Sequence, residues 1–210
     1  IPRDLAAQLA QICFRNSLYL QSLRILNPIV CPPAPINPKP QPSEIIAYAT
    51  ALVSLNMNRE ARNLLQQLDP ATNPEALLIE SFSYFGEWNY EKTIPLLKRF
   101  STNPRVSYYR QIVGKVNLAA AYVTSAKKTE ANNLLLELLN ITGERNFRLL
   151  QGNTLELLAQ LEIQNKNYLK ALEYLNDAKK IFPDNTSIYF FFVKKWEFIC
   201  RLLLSPQSQE

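Results

Sequence analysis

The sequence predicts an all-α fold built from short helical hairpins. Apolar residues recur at steps of three and four along most of the chain, as they do on the buried face of a helix. No sustained alternation of apolar and polar residues beside Asn-Gly or Asp-Gly marks a strand. Only four of the 210 residues are glycine, and 47% are apolar, which suits packed helices joined by short turns.

The clearest hairpin lies in residues 152–185. Two apolar stripes at helical spacing flank a polar run, Gln164–Asn167, that favours a turn. The stripes consist of Leu155, Leu158, Ala159 and Leu161, and of Tyr168, Ala171, Leu172, Leu175 and Ala178. The pattern therefore predicts a helix, a tight turn and a second helix.

This hairpin resembles the tetratricopeptide repeat, a 34-residue unit with small residues where its two helices cross and a proline at its end. Ala159 and Ala171 match the small positions, Tyr168 the aromatic that opens the second helix, and Pro183 the terminator. Lys166 stands where the family usually has a glycine in the turn. The resemblance implies a right-handed α-solenoid that binds other proteins, without implying any one activity.

Four further hairpins align with this one, and a last helix is predicted over Ile188–Leu204. The expected crossing positions are Ser22, Ala61, Thr93, Ala131 and Ala171. Most of their intervals exceed 34 residues, which resembles the helical-repeat sensor domains of bacterial transcription regulators. In the third hairpin we expect the turn Gly86–Asn89 to be one residue longer than in the others.

The predicted organisation is a first hairpin in residues 1–27, a proline-rich connector in 28–43, the repeat array with its terminal helix in 44–204, and a disordered tail in 205–210. Seven prolines between Pro28 and Pro42 argue against a helix there and favour extended polyproline II. The segment is either a plain connector or a docking site for a proline-recognising module. No basic-flanked PxxP register stands out, which favours the connector.

Enzymatic chemistry is not expected. The chain has no histidine, which excludes Ser-His-Asp and Cys-His arrangements, and it has no phosphate-binding glycine loop, HExxH or EF-hand pattern. Cys13, Cys31 and Cys200 are odd in number and far apart, so neither a disulfide framework nor a zinc site is expected. We therefore expect no cofactor and no metal, and a reducing, cytoplasmic compartment.

No signal peptide or membrane span is expected. The chain begins at Ile1 without a charged and then apolar leader, and a fragment of a larger protein is an open alternative. The most apolar run, Ile188–Leu204, is interrupted by four charged residues, which argues against a span.

The candidate binding surface follows from the resemblance, because in that family the first helix of each hairpin lines the concave side. Its non-core stripe would hold a peptide or partner segment. The candidates are Thr50 and Ser54 in the second hairpin, Asn117 and Thr124 in the fourth, and Asn153, Glu156 and Gln160 in the fifth. These stripes lack the Lys and Arg of the co-chaperone carboxylate clamp, so that activity is not expected.

Two other features are candidates for partner contact. Aromatic residues cluster around Tyr84 and Trp88, either as core or as the lining of a pocket. Residues 92–129 contain eight Lys and Arg and no acidic residue, in a chain of net charge +5. Arg110 and Lys115 in this segment would attract an acidic peptide or a phosphate-bearing ligand, unless the charges only solubilise the surface. Nucleic acid is not expected, since no recognised nucleic-acid-binding module accompanies the charge.

The leading functional hypothesis is a scaffold or adaptor module that binds a protein segment in its groove. The alternative is a ligand- or peptide-sensing regulatory domain of a larger bacterial signalling or transcription protein. A third interpretation is self-association through the apolar helix Ile188–Leu204.

Overall fold

The computed structural model describes residues 2–182 and 187–204, and all regular secondary structure in them is α-helical. The predicted all-α class is therefore confirmed. Pro183 and the expected tail at 205–210 lie outside the described residues. The helices are α1 Arg3–Arg15, α2 Tyr19–Val30, α3 Pro42–Ser54, α4 Asn58–Leu65, α5 Glu75–Phe85, α6 Tyr90–Ser101, α7 Tyr108–Thr124, α8 Lys128–Glu144, α9 Arg148–Gln164, α10 Tyr168–Ile181 and α11 Ile188–Leu204.

The helices pack as successive hairpins within two compact units, residues 1–107 and 108–210. The first unit contains the pairs α1–α2, α3–α4 and α5–α6, and α3 also packs against α2 and α5. The second contains α7–α8 and α9–α10, followed by α11, which packs against α10 and α9. In the described residues, this arrangement confirms the prediction of about five hairpins plus a terminal helix.

Small residues stand where the two helices of each hairpin cross. All five predicted crossing residues of the second helices are at most 1% exposed: Ser22, Ala61, Thr93, Ala131 and Ala171. The first helices bury small residues to the same extent, namely Ala10, Ala49, Ala119 and Ala159. Because these side chains are short, the helices approach closely and larger neighbours fill the space around the crossing.

Each hairpin turn closes with the same backbone geometry. The residue before the second helix's N-cap has a positive φ, between 55° and 63°, and in all five hairpins it is not glycine: Ser17, Asn56, Trp88, Ala126 and Lys166. In the fifth hairpin the Asn167 N–H donates to the carbonyl of Glu162 at 2.8 Å, a bond typical of the Schellman motif. Side chains thus occupy left-handed positions that usually favour glycine.

The third turn does not have the extra residue that the sequence predicted. The Asn89 N–H donates to the Tyr84 carbonyl at 2.9 Å and closes a loop of the same length as in the fifth hairpin. Gly86 has φ −62° and ψ −23°, and its N–H donates to the Phe82 carbonyl. Gly86 therefore continues the helical conformation rather than lengthening the turn.

The proline-rich connector is shorter than predicted at both ends. Helix α2 continues through Pro28 to Val30, and α3 starts at Pro42. Pro28 cannot donate the helical hydrogen bond to the Arg24 carbonyl, and the burial of Val30 in the core of the first unit offsets that cost. Pro42 occupies the first helical position, where a missing N–H costs no helical hydrogen bond.

Arg3 connects α1 to the proline-rich connector and to the start of α3. Its guanidinium donates to the carbonyls of Pro38 and Lys39, both at 2.7 Å, and to Glu44 Oε1 at 2.7 Å. The Arg3 hydrogen bond lowers the pKa of Glu44, against the opposing effect of burial. Glu44 also accepts the Gln41 N–H as part of a capping box at the start of α3.

Helix α11 is held by an ion-pair cluster around the buried carboxylate of Glu197. Lys179 from α10 contacts it at 3.1 Å, Lys194 at 3.3 Å and Arg201 at 3.0 Å. Burial would raise the pKa of Glu197, but hydrogen bonds from Arg201, Lys179 and Lys194 outweigh it and lower the pKa to about 2. The charged form of Glu197 therefore stabilises the packing of α11 on α10.

Gly152 allows a close approach of Phe182 to α9. A Cβ atom at position 152 would lie 2.3 Å from both Cε2 and Cζ of Phe182. The Phe182 ring also stacks on Tyr189 of α11, with ring centroids 5.4 Å apart. A side chain at position 152 would therefore displace a ring that connects three helices.

We predict that Gly152→Ala lowers the free energy of unfolding by about 1–3 kcal/mol, because overpacking against Phe182 exceeds the gain in helix propensity. Gly143→Ala is the matched control, since a Cβ there meets only the end of Gln151 at 3.5 Å. The control gains up to ~1 kcal/mol from propensity. Urea denaturation measures the free energy of unfolding of both variants. Equal stabilisation by the two substitutions would contradict the close contact between Phe182 and Gly152.

We predict that Glu197→Gln lowers the free energy of unfolding at neutral pH by about 2 kcal/mol. Since the folded pKa is about 2 and the ordinary value 4.5, the contribution of Glu197 is complete above pH 4.5 and is lost as the pH falls toward 2. The variant should lose that part of the acid dependence in thermal unfolding. Glu137→Gln, at a half-exposed ion pair with Lys115, is the control and should cost at most ~0.5 kcal/mol.

Candidate functional site

In the first unit, the first helices of the hairpins enclose an apolar pocket. It measures about 320 Å³ and lies between α1 and α3, with Glu75 of α5 at its edge. Its lining residues are Ala10, Gln11, Phe14, Arg15, Ser22, Ser43, Ile46, Ala47, Thr50 and Glu75. The crossing residue Ser22 reaches this pocket because small side chains at the crossing leave open space beside them.

The structure places Thr50, but not Ser54, in the lining of this pocket. The Thr50 hydroxyl donates to the Ile46 carbonyl at 2.6 Å. Ser54 lies one turn further along α3, is exposed, and donates to the Thr50 carbonyl at 3.1 Å. Both hydroxyls are thus used within their own helix, and contact with a partner at this pocket would come mainly from its apolar walls.

In the second unit, three predicted site residues line one face of α9. Asn153, Glu156 and Gln160 follow at steps of three and four, and all are half-buried. Gln160 Nε2 donates to Glu156 Oε1 at 3.2 Å. Burial raises the pKa of Glu156, while Lys195 of α11, the nearby Trp196 indole N–H and the Gln160 hydrogen bond act in the opposite direction.

Two polar atoms at this face are buried without a hydrogen-bond partner among the described residues. They are Oδ1 of Asn153 and the indole Nε1 of Trp196, on α11. The Trp196 indole lies near the Glu156 carboxylate, yet its N–H completes no hydrogen bond of ordinary geometry. One atom accepts and the other donates, and both are enclosed by neighbouring side chains, so a ligand would pair with them only after those side chains move.

The sequence did not identify Lys195 and Trp196 of α11 as site residues. Lys195 Nζ lies 4.5 Å from the centre of the Trp196 ring, a cation–π contact that orients both side chains. The signal was present, since Trp196 falls on the stripe of α11 that matches the first helix of a hairpin. The polar groups around Trp196 belong to α9, more than thirty residues earlier in the chain. The sequence pattern of α11 alone does not show this contact.

Asn117 and Thr124 hydrogen-bond within their own helix, α7. Asn117 Nδ2 donates to the Val113 carbonyl at 2.8 Å, and Thr124 donates to the Ala120 carbonyl at 2.6 Å. Asn117 is half-buried and Thr124 is exposed. Their oxygen and nitrogen atoms are therefore partly occupied, in contrast to those of Asn153.

Tyr84 belongs to a different pocket, of about 290 Å³, between α5 and α6. Arg62 and Lys92 lie over its ring at 4.5 and 5.1 Å. Burial raises the pKa of Glu80 in the same lining, although Arg62 and Arg99 oppose it. Tyr84 is thus separate from the apolar pocket that contains Thr50.

Trp88 stands at the left-handed position of the third turn, with 75% of its surface exposed and φ 59°. Its ring meets Tyr90 edge-on at 6.5 Å, and Tyr90 in turn meets Phe85 at 5.4 Å. The predicted aromatic cluster therefore divides, with Trp88 outside the Tyr84 pocket. A bulky side chain with positive φ is unusual.

Several basic residues of the acid-free segment 92–129 lie close to carboxylates from other parts of the chain. Lys115 Nζ contacts Glu137 Oε1 of α8 at 2.6 Å, and Lys92 and Arg99 share their pocket with Glu80 and Glu91. Arg110 is half-buried at the start of α7. The segment also crosses the boundary between the two units at residue 107. Carboxylates from elsewhere in the chain thus neutralise part of the charge that the sequence placed together.

The described part of the chain contains no cluster of three or more Cys, Asp and Glu side chains arranged to hold a metal ion. Of the helices described above, none has both the length and the apolar character needed to cross a membrane. Cys13, Cys31 and Cys200 are all free thiols.

Solved structures supply the comparison with known proteins. A crystal structure of a Podosopora anserina putative kinesin light chain with nearly identical TPR-like repeats matches 88% of this chain and 97% of its own, at a TM-score of 0.64 and 18% identity. A single-substitution variant of that protein matches 85% of this chain and 93% of its own, at a TM-score of 0.66 and 20% identity. The chain has a TPR-like repeat fold. No protein-family model matches the sequence, and no curated protein matches it either.

We predict that Glu156→Gln keeps or raises the free energy of unfolding at neutral pH, by up to ~1 kcal/mol. A folded pKa above the ordinary value means that the stability associated with Glu156 is complete below about pH 4.5 and falls as the carboxyl ionises. The amide removes this cost and keeps the shape of the side chain. Thermal unfolding from pH 4 to 8 measures it, and a loss comparable to that of Glu197→Gln would show that Glu156 stabilises the fold.

Proposed function

We propose that this protein is an interaction module that binds a segment of another protein along the first-helix faces of its hairpins, without catalysing a reaction. The observation that carries the proposal is the pair of buried, unpartnered atoms at the α9–α11 face, Asn153 Oδ1 and Trp196 Nε1. A peptide main chain offers an N–H for the first and a carbonyl for the second, once the side chains that enclose both atoms move aside. The TPR-like repeat fold supports a protein partner.

The apolar pocket of the first unit supports the same role, as a place for an apolar side chain of the bound segment. Its walls of Phe14, Ile46 and Ala47 are apolar and offer few hydrogen bonds. Polar groups that orient a peptide and an apolar pocket that anchors it are both common in peptide recognition. We propose no fixed geometry between the two, since they belong to different units.

Ligand sensing is the second candidate, favoured by the volume of that pocket. About 320 Å³ lies at the lower end of the range for small-molecule sites. A small apolar molecule or a short peptide would fit there, as expected of a regulatory domain. The three free thiols support a reducing compartment such as the cytoplasm for either role.

Peptides selected from a random-peptide display library against the whole chain test the proposal. We predict that selected peptides bind about 3- to 10-fold more weakly to Asn153→Ala, because the variant loses an acceptor that pairs only in the complex. Asn133→Ala, on the exposed side of α8, is the matched control and should leave the dissociation constant unchanged. Isothermal titration calorimetry gives both values.

Other outcomes distinguish the alternatives. Peptides that respond to Ala47→Leu and not to Asn153→Ala would move the binding site to the pocket of the first unit. A library that yields no binder above background would contradict peptide recognition and favour the small-ligand candidate. Circular dichroism of each variant establishes that a change in affinity does not come from unfolding.

A further inference from the structure

Ser22 of α2 differs from the other buried hydroxyl-bearing residues of the described helices. Each of the others donates to a backbone carbonyl three or four residues earlier: Ser81, Ser83, Thr93, Ser101, Thr142 and Thr154. Ser22 is 1% exposed, and its hydroxyl forms no hydrogen bond among the residues that the structure describes. Thr93 occupies the same crossing position in the third hairpin and donates to the Asn89 carbonyl at 2.8 Å. The crossing geometry alone therefore does not leave such a hydroxyl unpaired.

The Ser22 side chain lies at the deep end of the apolar pocket between α1 and α3. Ala10, which lines the pocket with it, is also 1% exposed. The exposed lining residues mark the mouth of the pocket: Gln11, Arg15 and Ser43. Thr50 also belongs to the lining, but its hydroxyl is already used by the Ile46 carbonyl. Ser22 therefore offers an unused donor and acceptor inside the pocket, next to apolar walls.

The size and charge of the pocket favour a neutral ligand that contains a ring. Its volume of about 320 Å³ is about twice the ~150 Å³ of a cavity that holds benzene. The Phe14 ring lies in the wall, and aromatic rings pack favourably edge to face. The charged lining residues are Arg15, which is exposed, and Glu75, at the edge. A charged group placed beside Ser22 and Ala10 would lose its hydration without gaining a counter-ion there.

We propose that this pocket binds a phenol, a neutral ring that carries one hydroxyl group, and that this hydroxyl pairs with Ser22. A phenol hydroxyl both donates and accepts, as the Ser22 hydroxyl does, so the pair forms in either direction. A ring without the hydroxyl displaces water from Ser22 and does not replace its hydrogen bond, which weakens binding. The inference rests on the proposed role of this pocket as a binding site, and it is independent of peptide binding at the α9–α11 face.

Titration of the whole chain with p-cresol and with toluene tests the proposal, because the two molecules differ by one hydroxyl group. We expect p-cresol to bind roughly tenfold more tightly, since only p-cresol satisfies Ser22. NMR spectra should show the chemical-shift changes at the backbone amides of Ala10 and Ala47, which give both dissociation constants. Ser22→Ala should bind the two molecules about equally. This variant should fold, because the second, fourth and fifth hairpins have a fully buried alanine at the same crossing position.

Thr50→Val is the matched control in the same lining. It removes a hydroxyl that is already paired within α3, so the preference for p-cresol should remain. Ala47→Leu reduces the volume of the pocket and should weaken the binding of both molecules. Urea denaturation of each variant establishes that a change in affinity does not come from unfolding.

The remaining outcomes separate this inference from the proposed function. Equal affinities of p-cresol and toluene for the natural chain overturn the role of Ser22 and leave the pocket as a site for apolar groups. No shift change at Ala10 and Ala47 with either molecule overturns the inference together with the small-ligand candidate, whereas peptide binding that depends on Asn153 would be unaffected.

Peptides from the display library identify the source of the phenol. A tyrosine-containing peptide that Tyr→Phe weakens toward the natural chain, and not toward Ser22→Ala, supports the pairing and places the phenol on a protein segment. Peptides that bind Ser22→Ala as well as the natural chain, together with a preference for p-cresol, support a free small molecule as the ligand.

Discussion

The close crossing of two helices at small residues is the contact on which the rest of this structure depends. Ser22, Thr93 and three alanines are buried completely or almost so, and any larger side chain would separate the helices of a hairpin. The crossing sets which side of each first helix faces its partner and which side remains for other contacts. The pocket beside Ser22 and the polar face of α9 both lie on remaining sides.

The two buried or half-buried carboxylates of the second unit, Glu197 and Glu156, affect the stability of the fold in opposite directions when they are ionised. Glu197 has three cationic partners and a pKa near 2, so its burial stabilises the packing of α11. Glu156 is half-buried with a raised pKa, beside an amide oxygen and an indole N–H that lack partners. The charged partners of Glu197 compensate for its burial. The burial of Glu156 and of the polar atoms beside it is not fully compensated by hydrogen bonds or ion pairs. Arrangements that destabilise the fold locally are common at surfaces that bind a partner.

The spacing of apolar residues in the sequence predicted the features that depend on contacts between neighbouring residues in the chain. The hairpins, their crossing residues and the stripe Asn153–Gln160 follow from steps of three and four, because a helix repeats every 3.6 residues. Contacts between distant residues were not predictable in this way. Lys115 pairs with Glu137 across a hairpin, Trp196 reaches α9, and Pro28 stays helical because Val30 is buried. Each depends on tertiary contacts that a local pattern does not contain, and only the helical Pro28 goes against a local preference.

The same packing rule describes which sides of α1 and α11 are buried in the described residues. Within each unit a hairpin buries one side against the preceding pair and the other against the following one, as α3 does between α2 and α5. Among the described residues, α1 packs against α2 and α3, and α11 packs against α10 and α9. Apolar side chains such as Ile12 of α1 and Phe198 of α11 point away from these contacts and are exposed. The exposed charges of α11, Lys194, Lys195 and Arg201, lie on the same helix as its exposed apolar residues.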